Sequence, residues 1–212
     1  MLNVNRILVF LYIGMFSSSL YAVDVSNFDI KDIKLGMGKN IIVNKLADTT
    51  SKNVNIYGRS WTYQIIKNSR DGFSLGAEYV INLDHNEKSF SIAREIIFKY
   101  EPNFNKIKKQ LIKKYGKPDN IAESKNNKGD FEYQLCWGDC TVKNATYWKG
   151  NVIWGHEKSF IITYRKYSEK NTFYMLFELV DRVAESKEDD WKEVEYERYL
   201  KNEKEKASNI DL

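Results

Sequence analysis

A two-residue rhythm between Phe73 and Phe98 limits what this chain can fold into more than any other feature. Phe73, Leu75, Ala77, Tyr79, Ile81 and Leu83 are separated by single residues, and the rhythm resumes at Phe90, Ile92, Ile96 and Phe98 after the polar stretch 84–88. Successive side chains of a strand point to opposite faces, so each run has one buried face and one wet face. Two such runs across a short polar turn make an antiparallel hairpin. A half-apolar sheet then requires a layer over its apolar face. The next segment predicts that layer: Phe104, Ile107, Leu111, Ile112 and Tyr115 follow at helical spacing. Pro102 is expected at the first helical position, Lys113 and Lys114 in the last turn, and Gly116 with Pro118 as the stop.

The same two periods recur elsewhere. Phe28, Ile30, Ile33 and Leu35 read as a short strand or extended arm reaching Gly36, residues 40–46 as a short helix, and residues 48–53 as a loop. Tyr57, Trp61, Tyr63 and Ile65 predict sheet, residues 124–129 a loop, and residues 131–137 a strand. Phe160, Ile162 and Tyr164 pair with Phe173, Met175, Phe177 and Leu179 as a second hairpin around 168–171. Residues 183–207 are charge-rich and predict a terminal helix that docks by Trp191 and frays after Leu200, with Glu188–Lys192 and Glu197–Lys201 in the favourable order. The fold class is therefore α+β: antiparallel hairpins with helices on one face, plus a charged C-terminal helix. Two prolines and no Gly/Ser-rich linker favour one compact domain over residues 23–212. It could divide into two helix-plus-meander units, 28–100 and 101–182.

The start of the chain bears on where it works. A short basic opening to Arg6, an apolar run from Ile7 to Phe16 and a small polar stretch ending at Ala22 predict a signal peptide over residues 1–22. The run is shorter than the roughly 20 apolar residues that span a bilayer. An uncleaved N-terminal anchor is the alternative. The expected location is the periplasm or the exterior, with no integral span after cleavage. The signal contains one charged residue, Arg6, so its loss leaves 32 basic against 29 acidic residues. That balance argues against nucleic acid or an anionic membrane surface as partner.

Two short strings carry a resemblance. Ile33-Lys-Leu-Gly-Met37 ahead of a short helix, and Leu111-Ile-Lys-Lys-Tyr-Gly-Lys-Pro118 closing another, resemble motifs of exported bacterial α+β modules. These include the small outer-membrane assembly lipoproteins and the secreted β-lactamase inhibitor proteins. The lipidated cysteine of the former has no counterpart here. The resemblance implies helices packed on a small antiparallel sheet and a non-enzymatic, protein-binding role; it transfers no site residues.

Chemistry-bearing residues are few. In an oxidising compartment Cys136 and Cys140 are expected to pair. A continuous strand would hold them about 13 Å apart at roughly 3.3 Å per residue, whereas a disulfide needs Cα atoms within about 7 Å. The segment must turn, and Gly138-Asp139 supplies the place. So short a loop adds about 2 kcal/mol, so its effect is local: it fixes the turn and aims Trp137. A redox pair lacks Cys-x-x-Cys spacing, and zinc lacks a ligand pattern, so no metal and no cofactor are expected. His85 reads as a solvated turn residue, and the acids 185–190 and 193–197 as a solvated helix face. His156, beside Glu157, could do acid–base work or mark a strand entry; no residue is assigned a catalytic role.

The aromatics near the cysteines carry the functional expectation. Tyr133, Trp137, Tyr147, Trp148 and Trp154, with His156, form a candidate recognition surface, because Trp and Tyr anchor interfaces and stack on sugars. The expected function is an exported protein-binding module rather than an enzyme: an inhibitor, a toxin-immunity protein or an envelope-assembly factor, with another envelope or secreted protein as partner. The alternative is a cell-wall or glycan-binding or glycan-active protein that uses those aromatics on peptidoglycan or another glycan.

Overall fold

The computed structural model describes residues 23–208 apart from 47–49, 57–58, 70–73, 143–151 and 169–170; for 50–56, 59–69, 74–77, 142 and 152–154 it describes the backbone alone. In chain order the elements are α1 (Lys39–Lys45), β1 (Thr50–Ile56), β2 (Arg59–Ser69), β3 (Ser74–Leu83), β4 (Ser89–Phe98), α2 (Phe104–Tyr115), β5 (Asn120–Lys125), β6 (Phe131–Val142), β7 (Val152–Tyr167), β8 (Thr172–Asp181) and α3 (Arg182–Ser208). A helix followed by four strands therefore occurs twice, with α3 appended. The strands form one antiparallel sheet in the order β1-β2-β3-β4-β8-β7-β6-β5. The two meanders join where β4 meets β8, from Ser91↔Val180 to Phe98↔Phe173. The architecture is α+β.

Period two decides the faces. Tyr79 and Ile81 of β3, Ile92 of β4, Met175 and Leu179 of β8, Phe160 and Ile162 of β7, and Leu135 of β6 share the first face and are buried. Ile42 of α1, Leu111 and Tyr115 of α2, and the arm residues Val25, Ile30 and Ile33 close over them. The arm is not a strand: it is a turn pinned by an isolated Ile30↔Ile33 bridge, with Lys31 and Asp32 at positive φ. The helix α2 starts at Asn103, whose side chain accepts the Lys106 N–H at 3.0 Å. Pro102 thus precedes the cap instead of occupying the first turn. Gly116, at φ +82°, ends the helix with its N–H on the Ile112 carbonyl.

Two further expectations are corrected. Residues 50–53 and 124–125, whose polar side chains favour loops, lie in the edge strands β1 and β5, because pairing with β2 and β6 overrides local preference. The helix α3 continues to Ser208 instead of fraying after Leu200, with its exposed end carrying Arg198–Glu195 and Lys206–Glu203 pairs. No helix among the described residues is long and apolar enough to cross a membrane.

Candidate functional site

The two cysteines are joined, Cα to Cα 6.3 Å, although both belong to β6. A bulge makes this possible. Gly138 pairs with Ser159 but Cys140 pairs with Trp154, so residues 155–158 of β7 loop out opposite Asp139. Gly138 sits at φ +82°, and a Cβ there would lie 2.5 Å from the Lys158 carbonyl oxygen. The Asp139 carboxylate holds the loop by accepting the N–H groups of His156 at 2.6 Å and Glu157 at 2.9 Å.

The disulfide and its aromatic neighbour occupy opposite faces. Cys136 and Cys140 pack with Ile161 on the second face. Trp137 points into the first, fully buried against Phe28, Tyr115 and Phe160, and its Nε1–H donates to the Gly116 carbonyl at 3.1 Å. The bulge therefore ties the end of α2 to the sheet. Tyr133 is likewise buried, edge-on to Phe104 with its hydroxyl at Lys108. Both residues are withdrawn from the candidate recognition surface, because positions 133, 135 and 137 of β6 face the helix layer. Tyr147 and Trp148 lie outside the described residues, and Trp154 is placed by its backbone alone. His156 is exposed and lines a cleft of about 710 Å³ beside the first turns of α3. What the structure records of His156 and Glu157 together is their shared main-chain donation to Asp139.

His85 is not a free turn residue. Its backbone N–H and Nδ1 each lie 2.8 Å from Oε2 of Glu188, and its ring stacks on Trp191 with centroids 4.6 Å apart. The Asn86 amide donates to Nε2 at 2.9 Å, which leaves Nδ1 to donate to the carboxylate. Glu188 belongs to the acid run read as solvated, yet its side chain is wholly buried. This clasp docks α3 on the β3–β4 turn.

The second face of the sheet holds a polar network. Glu78, Glu95, Leu176, Thr163 and Gln134 lie directly opposite one another on β3, β4, β8, β7 and β6. The flanking rows are Ala93–Glu178–Ile161–Cys136 and Ile97–Tyr174–Arg165–Glu132. Tyr174 hydrogen-bonds Glu95, Arg165 faces the Tyr174 ring at 5.8 Å, and Arg165 Nε donates to Glu132 at 2.5 Å. Burial pushes the Glu178 carboxyl up to about 7, against the pull of Arg165 and Arg182. Burial, then the charge of Glu78, raises Glu95, while the Tyr174 bond opposes both. Burial and the Glu95 charge hold the Tyr174 phenol well above its usual range. The apolar cluster on this face, Cys136, Cys140 and Ile161, contains no helix residue among those described.

Sequence reasoning missed this network because each member occupies a position that period two assigns to solvent. The β3–β4 hairpin register alone would have placed Glu78 opposite Glu95. Bringing in Glu178, Tyr174 and Arg165 requires the β4–β8 seam, which local pattern does not encode. Among the described residues no three His, Cys, Asp or Glu groups are placed to hold a metal ion. No protein-family model, curated protein or solved structure matches the chain.

Proposed function

We propose that this chain is an exported protein-binding module of the inhibitor, toxin-immunity or envelope-assembly kind, and that it engages its partner through the second face of its sheet. The supporting observation is the contrast between the faces. The first is closed by α1, α2 and the N-terminal arm. The second is polar where the first is apolar, and gathers partly buried Glu95, Tyr174, Glu178 and Arg165 in adjacent rows. Tyr and Arg on a rigid, partly desolvated platform are the residues that dominate binding energy at protein interfaces. The predicted signal over residues 1–22 and the Cys136–Cys140 bond favour an oxidising compartment.

The test is capture from an envelope extract of the source cells with the full chain tagged after Leu212. One stoichiometric protein should be retained by the wild type and lost from a Tyr174→Ala, Arg165→Ala double variant that keeps its thermal melt. Retention of no stoichiometric partner by the wild type would defeat the proposal, as would equal retention by the double variant.

A further inference from the structure

Two independent features meet at Val23. The small polar stretch that closes the predicted signal ends at Ala22, so removal of the signal would leave Val23 as the first residue. In the folded chain the Val23 nitrogen lies 3.1 Å from Oδ2 of Asp119, 96 positions away, and donates to it. The same oxygen accepts the Gly138 N–H at 2.8 Å, and the Asp119 N–H donates to the Cys136 carbonyl at 2.8 Å. One carboxylate therefore joins the N-terminal arm, the approach to β5 and the bulge of β6.

The arm is packed so that this nitrogen stays in place. Val25 is buried in the first-face core, its Cγ1 3.1 Å from where a Cβ on Gly138 would lie. Phe28 donates its N–H to the Val25 carbonyl at 2.9 Å, and its ring lies against Tyr115, Trp137 and Phe160. The surroundings favour a cation at the end of the arm. The cleft beside Val23 is lined by the acids Asp24, Asp139, Glu157 and Asp181 against Lys158 and Lys187, and Lys158 is taken by Asp181 at 3.6 Å. The Asp119 carboxylate receives two backbone N–H groups, and no side-chain cation among the described residues pairs with it.

We propose that hydrolysis of the Ala22–Val23 bond during export creates an α-ammonium group at Val23 that pairs with the Asp119 carboxylate, so that processing fastens the arm onto the β6 bulge. The inference rests on the export part of the reading above and is independent of the protein partner. Water is the co-reactant and a signal-peptidase-class enzyme the catalyst. The Ala22 acyl carbon gains an oxygen and leaves as a carboxylate, while the Val23 nitrogen gains protons and becomes cationic. The precursor offers Asp119 a neutral amide N–H at this point; the mature chain offers a charge-assisted donor, roughly twice as strong. Asp119 is exposed, so the pair should show in the proton affinity of the terminus more than in global stability.

The test starts from the full-length gene expressed in the source cells, where N-terminal sequencing of the exported protein should give Val23 as the first residue. On that product, trace acetylation of the terminus by acetic anhydride is followed against pH at low salt, by mass spectrometry of the N-terminal peptide. The folded terminus should lose its proton at about pH 8.5 or above, against about 7.7–8.0 for an unpaired one. Asp119→Asn keeps an acceptor for both N–H groups and removes the charge. It should return the terminus to the unpaired range, with acetylation about threefold faster at pH 7.5. The same terminus in urea-unfolded wild type supplies the reference should the variant fail to fold. An ordinary titration in the folded wild type, or a raised one unmoved by Asp119→Asn, overturns the pair, as does a first residue other than Val23. An exported chain that still begins at Met1 refutes the processing and leaves export standing. Recovery of the chain from the cytosol alone refutes the export reading itself.

Discussion

Replacing Glu178 by Gln should stabilise the protein at pH 8 and leave it unchanged near pH 4. Burial raises the folded-state carboxyl to about 7 from 4.5, with Arg165 and Arg182 pulling the other way. The folded chain therefore holds this proton more tightly than the unfolded chain does. Between about pH 4.5 and 7 folding is accompanied by proton uptake, so stability falls as pH rises through that window. Below it the side chain is neutral in both states and the penalty is absent; above it the penalty is complete. At about 1.4 kcal/mol per tenfold, the full difference is about 3 kcal/mol, an upper bound for a side chain that keeps some contact with solvent. Glutamine cannot ionise, so the variant lacks this slope, and titrations common to both chains cancel to first order. Urea unfolding followed by tryptophan fluorescence at pH 4, 5, 6, 7 and 8, with equal m-values required, measures the gap directly. It should open from near zero at pH 4 and level off above about pH 7. A gap independent of pH, or a wild type more stable than the variant at pH 8, would refute the reasoning, the latter because Arg165 and Arg182 would then outweigh burial.

Gly138→Ala forces a side chain onto a left-handed φ and against the Lys158 carbonyl, and should cost about 2–4 kcal/mol in urea unfolding. Cys136→Ser with Cys140→Ser should lower stability by about 2 kcal/mol and leave the near-ultraviolet circular dichroism native, since so short a loop restrains the unfolded chain little. Trp137→Phe keeps the core ring but loses the bond to the Gly116 carbonyl, a loss of about 1 kcal/mol, whereas Trp137→Ala should lose about 3–5 kcal/mol. His85→Ala removes the side-chain partner of the buried Glu188 carboxylate; hydrogen exchange along residues 182–191 should accelerate while β7 and β8 stay protected.

What was legible in the sequence is what a short window encodes. The alternation of Tyr79, Ile81 and Leu83 and of Phe90 to Phe98 fixed the described faces of β3 and β4, and the spacing from Phe104 to Tyr115 fixed the buried side of α2; Phe73 lies outside the described residues. The cysteine spacing demanded a contraction, and Gly138 provides it within a strand through a bulge instead of an open turn. Where local chemistry and long-range pairing disagree, pairing wins, as at residues 50–53 and 124–125. His85 and Glu188 are 103 positions apart, so neither could announce the other, and each looked solvated alone.

The same limit explains why Tyr133 and Trp137 do not belong to the expected recognition surface. Crowding of Tyr133 and Trp137 near the disulfide suggested a surface, yet alternation sends those two to the first face and Cys136 to the second, so proximity in sequence separates them by the thickness of the sheet. The polar positions that alternation discards as wet are the ones that β4 and β8 bring together. Glu178 is then both a stability penalty and a proposed binding group, and the two roles have opposite consequences for one substitution. A residue that only supports the fold should lose stability and binding together when altered. Glu178→Gln should gain stability at pH 8 while weakening capture of the envelope partner, the opposition expected where a binding surface carries a charge that costs the fold stability.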